Sequence, residues 1–205
     1  MISYEQKENK FNFRVGGILE SPDRKKILVH RLSNFDFWLL PGGRVEMMED
    51  TGNAIVREIQ EELGVTGEID RLVAITESFF YMKDKTYHEL GFNYLLRLPE
   101  NSQLLRMQGE FAGVEGEKYR YKWLDKELLS QISFKPDYMV PILQRIPQEI
   151  VHIIRDERIR EKKKLKDNIH KREELIDVFS SLLLKVFERN RYGRSSNRVF
   201  RYCNN

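Results

Sequence analysis

The stretch "LPGGRVEMMEDTGNAIVREIQEELGV" spans Leu40 to Val65. Its second half reads as a helix. Asp50 and Thr51 are good N-cap residues, Gly64 is a good C-cap residue, and Ile55, Ile59 and Leu63 recur every four positions. At about 100° per residue, Glu58, Glu61 and Glu62 share one sector of that helix, beside the apolar stripe. Three carboxylates so placed raise one another's pKa unless positive charge sits among them. Arg57 can meet Glu61 four residues on, but one arginine does not balance three glutamates. Hard divalent cations take oxygen ligands, and Mg²⁺ typically joins one or two carboxylates, waters and substrate phosphates. Taken alone, "EIQEEL" is the composition of a solvated helix face. The pair Gly42-Gly43 ahead of it, where backbone can approach a ligand closely, favours a ligand site.

Working outward, "FNFRVGGILE" (11–20) and "KILVHRL" (26–32) read as strands joined by the turn "SPDRK", and so as a hairpin. "EIDRLVAITESFFYM" (68–82) and "TYHELGFNYLLRL" (86–98) are rich in β-formers, with "KDK" as the turn between them. "EKYRYKWL" (117–124) is a further strand, followed by a short helix in "DKELLSQI" and another in "KPDYMVPILQRI". The order is not a regular βαβ repeat, which predicts a mixed sheet with helices packed on it. From Gln148 onward the pattern reads as helical, with Leu175, Phe179, Leu182 and Val186 at helix spacing.

The chain has 205 residues and a formal net charge of +3. Residues 151–205 hold 15 Lys/Arg against 8 Asp/Glu, while residues 1–150 are net acidic. The asymmetry predicts two parts, 1–147 and a basic, mostly helical extension at 148–205. No apolar run approaches the roughly 18–20 residues needed to span a bilayer. The polar opening "MISYEQKENK" and the single cysteine, Cys203, point to a cytoplasmic protein with neither disulfide nor zinc site.

Gly43, Glu49, Arg57, Glu58, Ile59, Glu61, Glu62, Gly64 and Val65 together resemble the Nudix box, the signature of the Nudix hydrolases, at every specified position. The resemblance extends over about residues 8–147. Met48 departs from it, standing where the family usually has glycine. It implies an α/β fold, a Nudix-type α/β/α sandwich with a mixed sheet, and hydrolysis of a diphosphate bond in a nucleoside diphosphate linked to another group. Carried onto this chain, it makes Glu58, Glu61 and Glu62 ligands of Mg²⁺, with Mn²⁺ as a substitute and the Gly42 carbonyl as a further ligand. It makes Glu49 and Arg57, with Gly43, the brace of loop and helix. The general base is Glu58 or a later glutamate, Glu117, with Glu115 as its alternative. Arg14, Arg31 and Arg44 are candidates to meet phosphate, and Tyr81 matches a marker of relatives that split dinucleoside polyphosphates. The expected substrate is a small-molecule nucleotide. RNA 5′-pyrophosphate removal, or a nucleotide sensor without catalysis, are the alternatives. The extension reads first as a solvated helix, then as a homodimer contact through its apolar stripe or an RNA contact through its basic charge.

Overall fold

The computed structural model describes residues 1–82 and 84–158. Met1–Glu157 forms one compact unit, and the second, Arg158–Asn205, lies almost wholly outside the described residues. With it lie the dimer and RNA readings of the extension, and its helical reading beyond Arg158.

Within the first unit, strands β1 (Ser3–Gln6), β2 (Asn9–Leu19), β3 (Lys26–Leu32), β4 (Glu68–Met82), β5 (Lys85–Arg97), β6 (Phe111–Gly113), β7 (Gly116–Asp125) and β8 (Val151–Asp156) alternate with helices α1 (Thr51–Leu63) and α2 (Val140–Gln144). Five strands form a mixed sheet in the order β1-β2-β5-β4-β8, and three form an antiparallel sheet in the order β3-β7-β6. In the mixed sheet, β2 runs parallel to β5 and β8 runs parallel to β4. The expected α/β fold with a mixed sheet is what the chain adopts.

Helix α1 has the expected bounds. The Asp50 side chain accepts from the backbone N–H of Asn53, and Gly64 closes the helix in the left-handed conformation with its N–H on the Gln60 carbonyl. Ile55, Ile59 and Leu63 are buried, as the four-residue spacing requires, and they pack with Val15, Leu19 and Leu96 on one face of the mixed sheet. A second apolar core on its other face joins Ile18, Val73 and Ala74 to Leu129, Met139 and Leu143.

Two expectations fail. β2 and β3 do not form a hairpin: beyond an antiparallel bridge between Glu20 and Ile27, β3 leaves to pair with β7. β2 instead takes the distant β5 as its partner. The turn residues predicted the reversal correctly, but pairing is settled by which faces each strand can bury. Val151–Asp156, read as helix, is a strand along β4. Its short run "VHII" fits either period, and the β4 edge chose the extended form. Among the described residues no helix is long and apolar enough to cross a membrane.

Candidate active site

The loop from Pro41 to Asp50 is stitched along β2. Gly17 N–H donates to the Pro41 carbonyl at 2.8 Å, and Val15 N–H donates to Gly43 at 2.9 Å. Gly42 has a φ of 134°, a conformation open mainly to glycine. A Cβ on Gly43 would collide with the carboxylate of Glu58. The two glycines therefore let the loop backbone lie directly against the acidic face of α1.

Arg57 is the hub of that face. Its Nε and Nη2 donate to the two carboxylate oxygens of Glu49 at 2.8 and 2.9 Å. Nη1 reaches Glu58 at 2.9 Å and Glu61 at 3.1 Å, and Nη2 also donates to the Arg44 carbonyl at 3.2 Å. Glu49 and Arg57, coupled in the sequence reading, meet as a bidentate pair, the strong form of such contacts. The guanidinium holds the Glu49 carboxyl down at about 2, while its own pKa is raised chiefly by Glu49.

The three glutamates differ in setting. Glu61 is exposed, Glu58 is partly buried, and Glu62 is buried. Burial raises the pKa of Glu58 against the lowering effect of Arg57. Burial, then the charge of Glu58, pushes Glu62 up to about 8. The Glu62 carboxylate accepts a hydrogen bond from Gly42 N–H at 3.3 Å. Among the described residues no three acidic, histidine or cysteine side chains converge as a finished metal cage, because Glu58 and Glu61 both turn to Arg57. In kind, however, the donors fit a hard divalent cation. They are carboxylate oxygens backed by a glycine carbonyl, and one of them, Glu62, is buried and pairs with no lysine or arginine among the described residues.

His30 and Tyr121 have no place in the sequence motif, yet they stand beside this carboxylate, with Tyr119 stacked behind His30. His30 Nδ1 is 3.6 Å from Glu62, and its ring stacks on Tyr119 and tilts against Tyr121. Burial, helped by the Arg14 charge, pushes His30 down to about 3. The contact is therefore a neutral imidazole beside a carboxyl and not an ion pair. The Tyr121 pKa is raised by burial and then by Glu62 and Glu115. Strand alternation places residues 119 and 121 on one face, but it does not reveal that Glu62 lies opposite them.

The remaining candidates separate. Arg14 belongs to the site: its Nη2 donates to the Gly42 carbonyl at 3.5 Å, and its charge lowers the pKa of both Glu58 and Glu62. Arg44 lies across from Arg14 and offers Arg57 its carbonyl. Arg31 does not join them. One residue beyond His30, it faces the other side of β3, bound to Glu110 at 3.0 Å and lying over the Trp38 ring. Tyr81 stands near the tip of the β4–β5 hairpin, opposite Thr86. Glu117 is exposed and paired with Arg120, whereas Glu115 contributes to raising Glu62. The β6–β7 turn that carries Glu115 is held against the end of α1 by Val114 N–H, which donates to the Glu62 carbonyl at 3.0 Å.

The NUDIX domain family profile matches residues 10–146. Human diphosphoinositol polyphosphate phosphohydrolase 3-beta is 38% identical over 81 residues, which cover 39% of this chain and 49% of that protein. Mouse diphosphoinositol polyphosphate phosphohydrolase 2 is 49% identical over 43 residues, 21% of this chain and 24% of the relative. The chain thus spans about half, or less, of the length of these curated relatives. Among solved structures, the MutT NUDIX hydrolase from Burkholderia pseudomallei superposes with a TM-score of 0.51 at 22% identity, over 70% of this chain and 100% of that one. A MutT protein from Bacillus halodurans gives a TM-score of 0.50 at 14% identity, over 70% and 89%. At these identities the two structures speak for the fold.

Proposed function

We propose, because this chain belongs to the Nudix hydrolase family, that it is a divalent-metal-dependent pyrophosphohydrolase cleaving the diphosphate of a nucleoside diphosphate linked to a second group. The observation that carries this reading is the buried Glu62 carboxylate, set beside Glu58 and the Gly42 backbone with Arg57 bound to Glu49. Glu58, Glu61 and Glu62, with the Gly42 carbonyl, would hold Mg²⁺ or Mn²⁺. Such a cation neutralises phosphate oxygens and lowers the pKa of bound water.

The chain's own groups do the rest. Arg14, at the Gly42 carbonyl, supplies positive charge for a phosphate. Arg57 holds loop and helix in register through Glu49 and the Arg44 carbonyl, which keeps Gly42 against Glu62. His30 and Tyr121 exclude water from one side of Glu62. For the base that takes a proton from the attacking water, Glu58, Glu117 and Glu115 are the candidates; Glu115 acts electrostatically on Glu62, whereas Glu117 is paired with Arg120. A cytoplasmic setting accompanies this reading.

A second substrate reading, a diphosphoinositol polyphosphate, is favoured by the names of the relatives that match part of the chain. Both are tested by assaying purified protein with Mg²⁺ or Mn²⁺ on nucleoside diphosphate sugars, dinucleoside polyphosphates, triphosphorylated RNA and diphosphoinositol polyphosphates. Cleavage of a nucleotide diphosphate that is lost in Glu61→Gln and Glu62→Gln supports the first reading. Turnover of none of them would leave a nucleotide-sensing module instead.

A further inference from the structure

The face of the mixed sheet opposite α1 changes character along β2 and β5. Ile18 pairs with Leu95 and belongs to the second apolar core. Moving along the strands on the same face come the pairs Gly16–Asn93, Arg14–Gly91 and Asn12–Glu89. On neighbouring β4, Thr76 stands opposite Gly91 and Ser78 opposite Glu89. A polar row thus begins where the core ends, and it passes through Arg14 to the Gly42 carbonyl at the glutamates.

Nearly every polar group in this row has an internal partner. Asn12 accepts from Ser3 Oγ and donates to Glu89 at 3.3 Å. Thr76 Oγ1 donates to the Gly91 carbonyl, and Ser78 pairs with the Tyr138 hydroxyl. Asn93 is different. It is 9% exposed, yet among the described residues its carboxamide takes part in no hydrogen bond, and neither of its polar atoms is sealed from solvent. With no partner among the described residues and both polar atoms still open to solvent, the carboxamide is free to pair with an incoming group in place of water. The carboxamide oxygen sits over Gly16, where a Cβ would stand 2.6 Å from Oδ1, and Leu40 reaches the same spot. Glycine at position 16 is what leaves room for it. Arg14 is two residues along the strand, about 7 Å away, which is within reach of a group attached to a phosphate held at Arg14 and Gly42.

Resting on the hydrolase reading above, we infer that Asn93 is a specificity-determining residue whose free carboxamide reads the planar hydrogen-bonding edge of a nucleobase on the substrate. A carboxamide is uncharged and offers an acceptor beside two donors, which matches a base edge in bidentate fashion. A phosphate-dense ring would meet a neutral amide with the Glu89 carboxylate four residues away along the same face.

The test compares kcat/KM for nucleoside diphosphate sugars carrying adenine, guanine, uracil or cytosine in wild type, Asn93→Ala and Gly16→Ala. It also measures binding of the four nucleoside 5′-monophosphates, which have no diphosphate to cleave. Wild type should favour one base about 10- to 100-fold. Both variants should collapse that ratio through KM, and Gly16→Ala does so by displacing an intact carboxamide. Cleavage with the base ranking unchanged in both variants overturns the inference and leaves the hydrolase reading standing. Base-selective binding that depends on Asn93, without cleavage, supports the inference and removes the hydrolase reading. Turnover of diphosphoinositol polyphosphates alone, with no base preference in binding, overturns it.

Discussion

Arg57 grips Glu49 with two parallel hydrogen bonds, Nε to Oε1 at 2.8 Å and Nη2 to Oε2 at 2.9 Å, across eight residues of chain. The pair fixes the loop to the helix, and the same guanidinium also holds Glu58 and Glu61. Lysine carries the charge but cannot reproduce the fork. Arg57→Lys is expected to cost about 1–2 kcal/mol in urea unfolding and to lower turnover by more than that loss of stability explains. A variant as stable and as active as wild type would remove the bracing role.

The same contact sets a pH dependence. The folded-state pKa of Glu49 falls from an ordinary 4.5 to about 2. A group with a depressed folded pKa contributes stability that is fully present above the unfolded value and lost as pH falls through the folded one. Wild type should therefore lose stability between about pH 4.5 and pH 2, and Glu49→Gln should lose less over that window. Parallel acid titrations of the two proteins, followed by circular dichroism, check it.

Glu62 makes an opposite kind of prediction. Its carboxylate is buried with a single backbone donor. Glu62→Gln keeps the shape and removes the need to bury or neutralise a charge, so the metal-free variant should gain on the order of 1–3 kcal/mol near neutral pH. Mg²⁺ should raise the melting temperature of wild type and leave that of the variant nearly unchanged. A variant that Mg²⁺ stabilises as much as wild type would count against Glu62 as a ligand.

The two loop glycines should fail differently when changed to alanine. At Gly42 the φ of 134° and a clash with the Val15 carbonyl both oppose a Cβ, so Gly42→Ala should destabilise by roughly 2–3 kcal/mol. At Gly43 the obstacle is the Glu58 carboxylate, the movable end of a side chain. Gly43→Ala should stay folded while losing at least about tenfold in kcat. Equal melting temperatures for both variants would contradict the distinction.

Met48 has a φ of 66° and a fully exposed side chain. Left-handed backbone costs an L-residue roughly 1–2 kcal/mol, partly offset by the greater unfolded-state freedom of glycine. Met48→Gly should therefore be neutral or more stable, by up to about 1 kcal/mol. Thermal unfolding decides, and a clear loss of stability would show that the methionine side chain contributes to packing.

The sequence by itself determined what depends on local spacing. Asp50 and Gly64 mark the ends of α1 because caps are satisfied by neighbours in the chain. The face shared by Glu58, Glu61 and Glu62, and the buried stripe of Ile55, Ile59 and Leu63, follow from helical geometry. The β4–β5 hairpin follows from two β-rich runs around a tight turn. Long-range pairing was beyond it. That β2 would take β5 rather than β3, and that Val151–Asp156 would extend along β4, depended on which edges and faces were free once the chain had collapsed. The same holds within the site. The sequence reading puts Glu117 ahead of Glu115, yet it is Glu115 whose charge acts on Glu62, while Glu117 pairs with Arg120. Glu62 becomes the buried member of three similar glutamates because His30 and Tyr121 arrive from another sheet. Asn93 is one asparagine in a strand until Gly16 is placed across from it. Local spacing gathered the candidate groups on one helix face; burial and partnership, which distinguish one carboxylate or amide from the next, came only with the tertiary contacts.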